Sequence, residues 1–494
     1  MAEFVETGSG RVAGIPGKVS IFKGIPFAAP PLGQLRWRPP VPVTPWSGVR
    51  PAVEAGPDPV QVPLPGSAPR TRPMSEDCLT LNIWTPAARG GENLPVMVWI
   101  PGGSFVAGSG ADPMCDGENF ARKGVVLVTI NYRVGLFGFL AHPALTSESE
   151  HHASGNYGVL DQIAALRWIR DNIAAFGGNP NCVTAIGVSA GSASISLLMT
   201  SPLGRALFQQ AILQSPGSFR PLADLDEAYH AGQMLGDDLA ALRGLSADEI
   251  LSRTSQFVPK VRGLTTPRVL RPIRDGWVVD RQERDAYLSG RFEAVPMVVG
   301  SNLDEGGLFV GAWPVKTVSD FRDLVALNFG ASAEQALKQY PVDGDHDVVK
   351  QCAFLFGDTQ FTYGARGIAR ANSALLPATY RYLFTRHRCD GPQPPKHGDE
   401  VPYVFGKLAA AGIVSLATNE RDHALSETMM NAWVRFAATG DPNGGNLPDW
   451  QRYDAVRDNY FELSDELKAG RAWRASQMGF LDSFFDARSA TSQA

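Results

Sequence analysis

No stretch of this chain comes near the ~18 consecutive apolar residues that a membrane-spanning helix needs. The densest apolar run, Leu94 to Ile100, is only strand-sized, so a spanning helix is excluded. Cysteine is scarce and scattered. Cys78, Cys115, Cys182, Cys352 and Cys389 are odd in number, and none stands beside another as zinc sites and redox motifs require. Free thiols in a reducing compartment are expected. Positive charge is not in excess either: 45 Lys and Arg against 50 Asp and Glu leave a formal charge of -5. That balance gives no drive toward nucleic acid or an anionic membrane. HExxH, P-loop and dinucleotide fingerprints are missing, so no metal and no organic cofactor is expected. The start of the chain, MAEFVETGSGRVAG, lacks an apolar stretch before a small-residue cleavage site. The expectation is a cytoplasmic protein, or a secreted or periplasmic one whose leader has been trimmed.

What is present is length and a core. A chain of 494 residues exceeds one ordinary domain, yet α/β enzymes carry large insertions without dividing. With 44% apolar residues it can bury a substantial interior, and 51 Gly and 37 Pro forecast many loops. One domain over 1–494 is expected, with inserted helical cap regions near 221–291 and 310–375.

The order of elements sets the fold class. Short extended pieces and a proline-dense stretch (Pro51 to Pro73) precede two buried-strand candidates, LPVMVWI (94–100) and GVVLVTI (124–130), which flank the Gly-rich loop PGGSFVAGSGAD. YGVLDQIAALRWIRDNIAAF has helical spacing, GGNPN reads as a turn, and VTAIGV reads as a strand running into the helix SASISLLMT. VPMVVGSN and ATYRYLF read as late strands, and SETMMNAWVRFAATG as a helix packed on the sheet. Strands alternating with helices predict a mostly parallel α/β sheet, with chemistry beyond the carboxyl ends of its strands.

Gly187-Val188-Ser189-Ala190-Gly191 fits the G-x-S-x-G elbow, a sharp strand-to-helix turn that lifts a serine hydroxyl above the sheet. Alone, the pattern is as often a plain turn; its place between VTAIGV and SASISLLMT points to catalysis in an α/β-hydrolase fold. A serine needs a base, and an acid to orient that base, in the chain order Ser, acid, His. His346 and His423 sit in charged, surface-like stretches, which leaves His387 and His397 as bases. The strand-ending sequence VVGSNLDEGG offers Asp304 and Glu305, and spacing does not choose between them. Ala190 and the loop Gly102-Gly103-Ser104 are placed to supply N–H donors to an oxyanion.

These residues belong to a wider pattern. GIPFAAPPLGQLRWRPP, SEDCLTLNIWTP, the PGGSF loop, NYRVGLFGFL, GVSAGS, LDEGG, HGDEVPYVFG and WVRFAATGDPN together resemble the type B carboxylesterases, the bacterial branch of the cholinesterase-like α/β-hydrolases. The resemblance implies Ser189, Glu305 and His397 as a catalytic triad, Gly103, Ser104 and Ala190 as oxyanion donors, and Ser215 as support for the acid. Four departures stand out: Val188 where the family has Glu, Pro101 where His or Tyr precedes the glycines, Ser104 in place of a third Gly, and no cysteine upstream of Cys78 to form the family disulfide.

Within the family, AILQSPGSFRPLADLDE, TTPRVLRPIRDGWVVD, PVKTVSDFR and HGDEVPYVF are most similar to fumonisin esterases, which release tricarballylate. A substrate carrying free carboxylates asks for cations near the acyl pocket, and Arg262, Arg268, Arg271 and Arg274 are the candidates, each with a solvated lid face as its plainer explanation. The resemblance thus implies a hydrolase of a small-molecule ester, monomeric or a weak homodimer, without nucleic-acid or membrane partners. The rival readings are a general aryl or alkyl carboxylesterase, a carbamate or amide hydrolase, and a non-catalytic binding module, against which the intact triad residues argue.

Overall fold

A computed structural model describes residues 4–64, 72–257, 259, 261–387, 393–410 and 418–492. Its centre is a ten-stranded sheet. In chain order the strands are β1 (Ser20–Pro26), β2 (Thr80–Thr85), β3 (Leu94–Ile100), β4 (Val126–Ile130), β5 (Gly178–Val188), β6 (Gln210–Gln214), β7 (Met297–Asn302), β8 (Thr379–Phe384), β9 (Asn459–Leu463) and β10 (Lys468–Arg471). The spatial order is β10-β9-β8-β7-β6-β5-β3-β4-β2-β1. Strands β3 to β9 pair in parallel; β10 at one edge and β2 with β1 at the other are antiparallel. A second, small sheet joins Val5–Thr7, Gly10–Ala13 and Val49–Pro51.

The apolar runs explain the parallel centre, because such strands are covered on both faces. Along β3, Val96, Val98 and Ile100 enter one core cluster while Met97 and Trp99 enter the other. The helices that matter for the site are α1 (Tyr157–Asn172), α2 (Ala190–Thr200), α3 (Asp345–Gly357), α4 (Tyr363–Leu375), α5 (Glu420–Thr439) and α6 (Ala475–Ser492). Helix α5 starts on a capping box between Asn419 and Asp422 and ends at the left-handed Gly440.

Three details differ from expectation. The segment GNPN is not a turn: Gly177, at φ 85°, ends the helical stretch, and β5 begins at Gly178 with Leu94 opposite it. The region 310–375 does not stay off the sheet. Its last helix, α4, buries Ala365, Ile368 and Ala369, and Asn372 ties it to Val295 O and Thr379 Oγ1 at the strand edges. Between α3 and α4 the helix widens into a π-turn, Asp358–Thr362, which periodicity alone does not reveal. Cys78, Cys115, Cys182 and Cys352 are free thiols, and Cys389 lies outside the described residues. No helix among the described residues is long and apolar enough to cross a membrane.

One buried ion pair locks α1 to the loop after β4. Arg133 donates to Asp161 from Nε (2.8 Å), Nη2 (2.7 Å) and its backbone N (3.0 Å), and both side chains are sealed from solvent. Removing one partner strands a buried charge. Asp161→Ala is therefore expected to lose about 3–5 kcal/mol of unfolding free energy in a denaturant titration. A loss below about 1 kcal/mol would refute this account.

Candidate active site

Strand β5 ends at Val188, and Ser189 turns the chain into α2 with φ 58° and ψ -118°, a strained conformation for a residue with a side chain. The two flanking glycines make the turn sterically allowed. A Cβ on Gly191 would stand 2.0 Å from the carbonyl oxygen of Ile100, and one on Gly187 would stand 2.8 Å from the Gly191 carbonyl carbon. Ser189 holds the N-cap position of α2 without making a capping hydrogen bond, so Oγ stays uncommitted and partly exposed.

The loop after β3 approaches the elbow closely: a Cβ on Gly102 would lie 3.2 Å from Ser189 Cβ. Gly103, Ser104 and Phe105 follow with positive φ (129°, 58° and 64°). Tyr132 donates to Pro101 O, Gly135 N to Phe105 O, and Gln61 brackets Gly108 from both sides, which fixes this strained path. The N–H groups of Gly103, Ser104 and Ala190 have no protein acceptor among the described residues. The Cβ of Ser104 costs none of these donors.

Glu305 follows β7 and His397 follows β8. His397 Nδ1 lies 2.5 Å from Glu305 Oε2, both nearly buried. Glu305 Oε1 accepts from Ser215 Oγ and from Asn302 N, each at 2.6 Å. Asp304 turns elsewhere, capping Gly307 N, and His387 is exposed. Of the pairs that spacing left open, the structure brings Glu305 and His397 together. Among the described residues His397 Nε2 is buried without a partner. Phe361 packs on the His397 ring at 4.2 Å and Phe309 at 5.1 Å.

Around these aromatics stands a set of cations. Arg262 lies over Phe309 (5.1 Å) and Arg271 over Phe105 of the Gly-rich loop (5.3 Å). Arg268 lies over Phe356 (5.8 Å) and also bonds Gly263 O and Gln360 Oε1. A fourth, Arg220, which the reading of the sequence missed, bonds Gly217 O and the same Gln360 Oε1. Among the described residues none of the four forms an ion pair. Burial pushes each guanidinium below its ordinary pKa, Arg271 to about 10, and for Arg220 the three neighbouring arginines add to the effect. A guanidinium does not give up its proton, so the strain remains as unbalanced positive charge. Glu283, the carboxylate that acts on Arg220 and Arg271, is itself held by Ser196 and Phe219 N. Arg274 does not join the set: it is exposed and paired at two points with Asp224 (2.6 and 2.7 Å), as befits an outer lid face.

A separate cavity of about 850 Å³ opens between the N-terminal segment and α1, lined by Trp37, Arg38, Arg167 and Trp277 among others; none of the site residues above borders it. No group of three or more metal-ligating side chains occurs among the described residues.

The comparisons agree with this architecture. Residues 2–481 match the model of the carboxylesterase family. The chain belongs to that family. It is 45% identical to the fumonisin B1 esterase of Sphingopyxis macrogoltabida over 453 residues, covering 91% of this chain and 84% of that one. It is 34% identical to the cocaine esterase of Homo sapiens over 523 residues, covering 95% and 88%. A solved PNB esterase superposes with a TM-score of 0.87 at 31% identity, covering 97% of this chain and 99% of that one. The protein is a carboxylic ester hydrolase of the α/β-hydrolase fold, the class expected from the elbow and its neighbours.

Beside Glu305 lies a second carboxylate that the sequence did not flag. Glu400 is fully buried, receives Gln214 Nε2 and Asn302 Nδ2, and is pushed up to about 7 by burial and by the charge of Glu305. A raised carboxyl favours the fold while protonated, so its contribution is present below the ordinary carboxylate range and is lost as pH climbs toward about 7. The melting temperature of the wild type should therefore fall more between about pH 5 and pH 7.5 than that of Glu400→Gln. Parallel curves would show that another group titrates.

Proposed function

We propose that the hydrolase acts through Ser189, His397 and Glu305 by way of an acyl-enzyme, and that its preferred substrates are esters of polycarboxylic acids, fumonisin-type tricarballylate esters among them. Similarity to a fumonisin B1 esterase supports the substrate class. The observation that carries it is the set of guanidiniums without ion pairs among the described residues: Arg262 on Phe309 beside His397, Arg220 and Arg268 on Gln360 next to Phe361, and Arg271 on Phe105 of the Gly-rich loop. Arg274 on the outer face has found a carboxylate, whereas these four have carbonyls, ring faces and one shared amide.

In the first half-reaction His397 Nε2 takes the Ser189 proton as Oγ attacks the ester carbonyl carbon. The oxyanion is received by the N–H groups of Gly103, Ser104 and Ala190. Collapse breaks the bond to the alcohol oxygen, which leaves with the proton from Nε2. Water then repeats the sequence on the acyl-enzyme and restores Ser189. Glu305, held by Ser215 and Asn302, keeps Nε2 aimed and stabilises the imidazolium. The free carboxylates of the acyl group meet the arginines, which discharges the unfavourable cation cluster.

Val188 fits the same reading, since an acid beside the nucleophile would repel an anionic acyl group. Release of acid from a tricarballylate ester, measured beside p-nitrophenyl butyrate, tests the proposal. Ser189→Ala should abolish both activities by about 10⁴-fold or more. Arg271→Gln and Val188→Glu should each lower kcat/KM for the polyanion about tenfold, about 1.4 kcal/mol, and the neutral ester far less. Equal loss on both esters sinks the polyanion assignment; residual turnover after Ser189→Ala sinks the nucleophile.

A further inference from the structure

The π-turn between α3 and α4 carries two adjacent residues that face the site for different reasons. Phe361 lies against the imidazole of His397. Gln360, fully buried, donates through Nε2 to Leu264 O (2.9 Å) and Thr359 Oγ1 (3.1 Å). Those bonds fix which end of the amide is which, so Oε1 is left to accept from Arg220 Nη1 and Arg268 Nη2 together. The turn is anchored from behind by Asp358, which receives Tyr340 Oη and Arg474 Nε. Arg220 is held to Gly217 O, two residues beyond the serine that supports Glu305, and Gly217 itself faces the Phe361 ring. The Nε of Arg268 is buried and unpartnered.

Two like charges sharing one neutral acceptor is an arrangement that costs energy unless an anion completes it. A carboxylate in that place would have neutralised the pair; an amide binds both and leaves their charge intact. Building on the polycarboxylate reading above, we propose that Gln360 is a positioning residue that holds Arg220 and Arg268 side by side as the receptor for one free carboxylate of the acyl group. Arg262 and Arg271, each backed by a ring, are left to meet the other. Specificity for a multiply charged acid then depends on a residue that never touches it. The widened turn is what allows neighbouring positions 360 and 361 to serve the cation pair and the base at once.

The test uses the full-length enzyme, p-nitrophenyl butyrate as reporter and free propane-1,2,3-tricarboxylate as competitive inhibitor. Gln360→Ala removes the shared acceptor, and Gln360→Glu keeps its shape but neutralises the pair. In both variants the ratio of the tricarboxylate Ki to the KM of the neutral ester should rise about tenfold, and the salt dependence of inhibition should flatten. Wild-type inhibition with an unchanged ratio in either folded variant overturns the role of Gln360 and leaves the polycarboxylate reading standing. The role is equally overturned if Ki and KM change together, as plain loss of packing would cause. Absence of competitive inhibition in the wild type removes the polycarboxylate reading itself, and this inference with it.

Discussion

The site hangs on a place where two backbones cross without room for any side chain. Ile100, at the end of β3, presents its carbonyl oxygen against Gly191 at the start of α2, and Gly187 closes the other side of the same turn. Because β3 and β5 are hydrogen-bonded neighbours in the sheet, this contact fixes Ser189 relative to the loop that follows β3. The helix can then leave the strand abruptly, and the serine is forced into a backbone conformation it would not choose, at a cost of about 1–3 kcal/mol that the surrounding sheet must offset. Ser189 and the loop at 102–104 are thus two ends of one rigid contact.

Glu305 and His397 are held differently, by polar networks at the ends of later strands. Glu305 is fixed by Ser215 and by the backbone of Asn302, whose side chain reaches on to Glu400 and Lys396 O. Burial, and then the neighbouring charge of Glu305, push the Glu400 carboxyl above its ordinary range. The imidazole bonded to Glu305 is walled by Phe309 and Phe361, which shield its faces. The same rings and their neighbours carry the cations.

The alternation of apolar strands and helices made the parallel sheet legible, because burial on both faces writes itself as an uninterrupted run such as Leu94–Ile100. The elbow was legible for the same local reason. Asp304 and Glu305 could not be separated by spacing, since adjacent residues on a turn point different ways only once Asp304 finds Gly307 N. Composition could not distinguish Arg274 from Arg271 either; a partner fifty residues back in the chain, Asp224, decides it. Arg220 was missed because the lid was taken to begin at Pro221, one residue after it, whereas the cluster draws on the strand-exit loop as well. The π-turn leaves no periodic signature, as its five residues are too few to shift a pattern read over the two 13-residue helices that flank it.

The stacking of Arg262 on Phe309 and of Arg271 on Phe105 has a thermodynamic consequence. A guanidinium in water must shed part of its hydration before it can hold a carboxylate, and that loss ordinarily falls within the association step. Here one face of each cation is already dry in the resting enzyme, so the dehydration belongs to folding. The dehydration of that face therefore adds nothing to the cost of a later contact made by the cation.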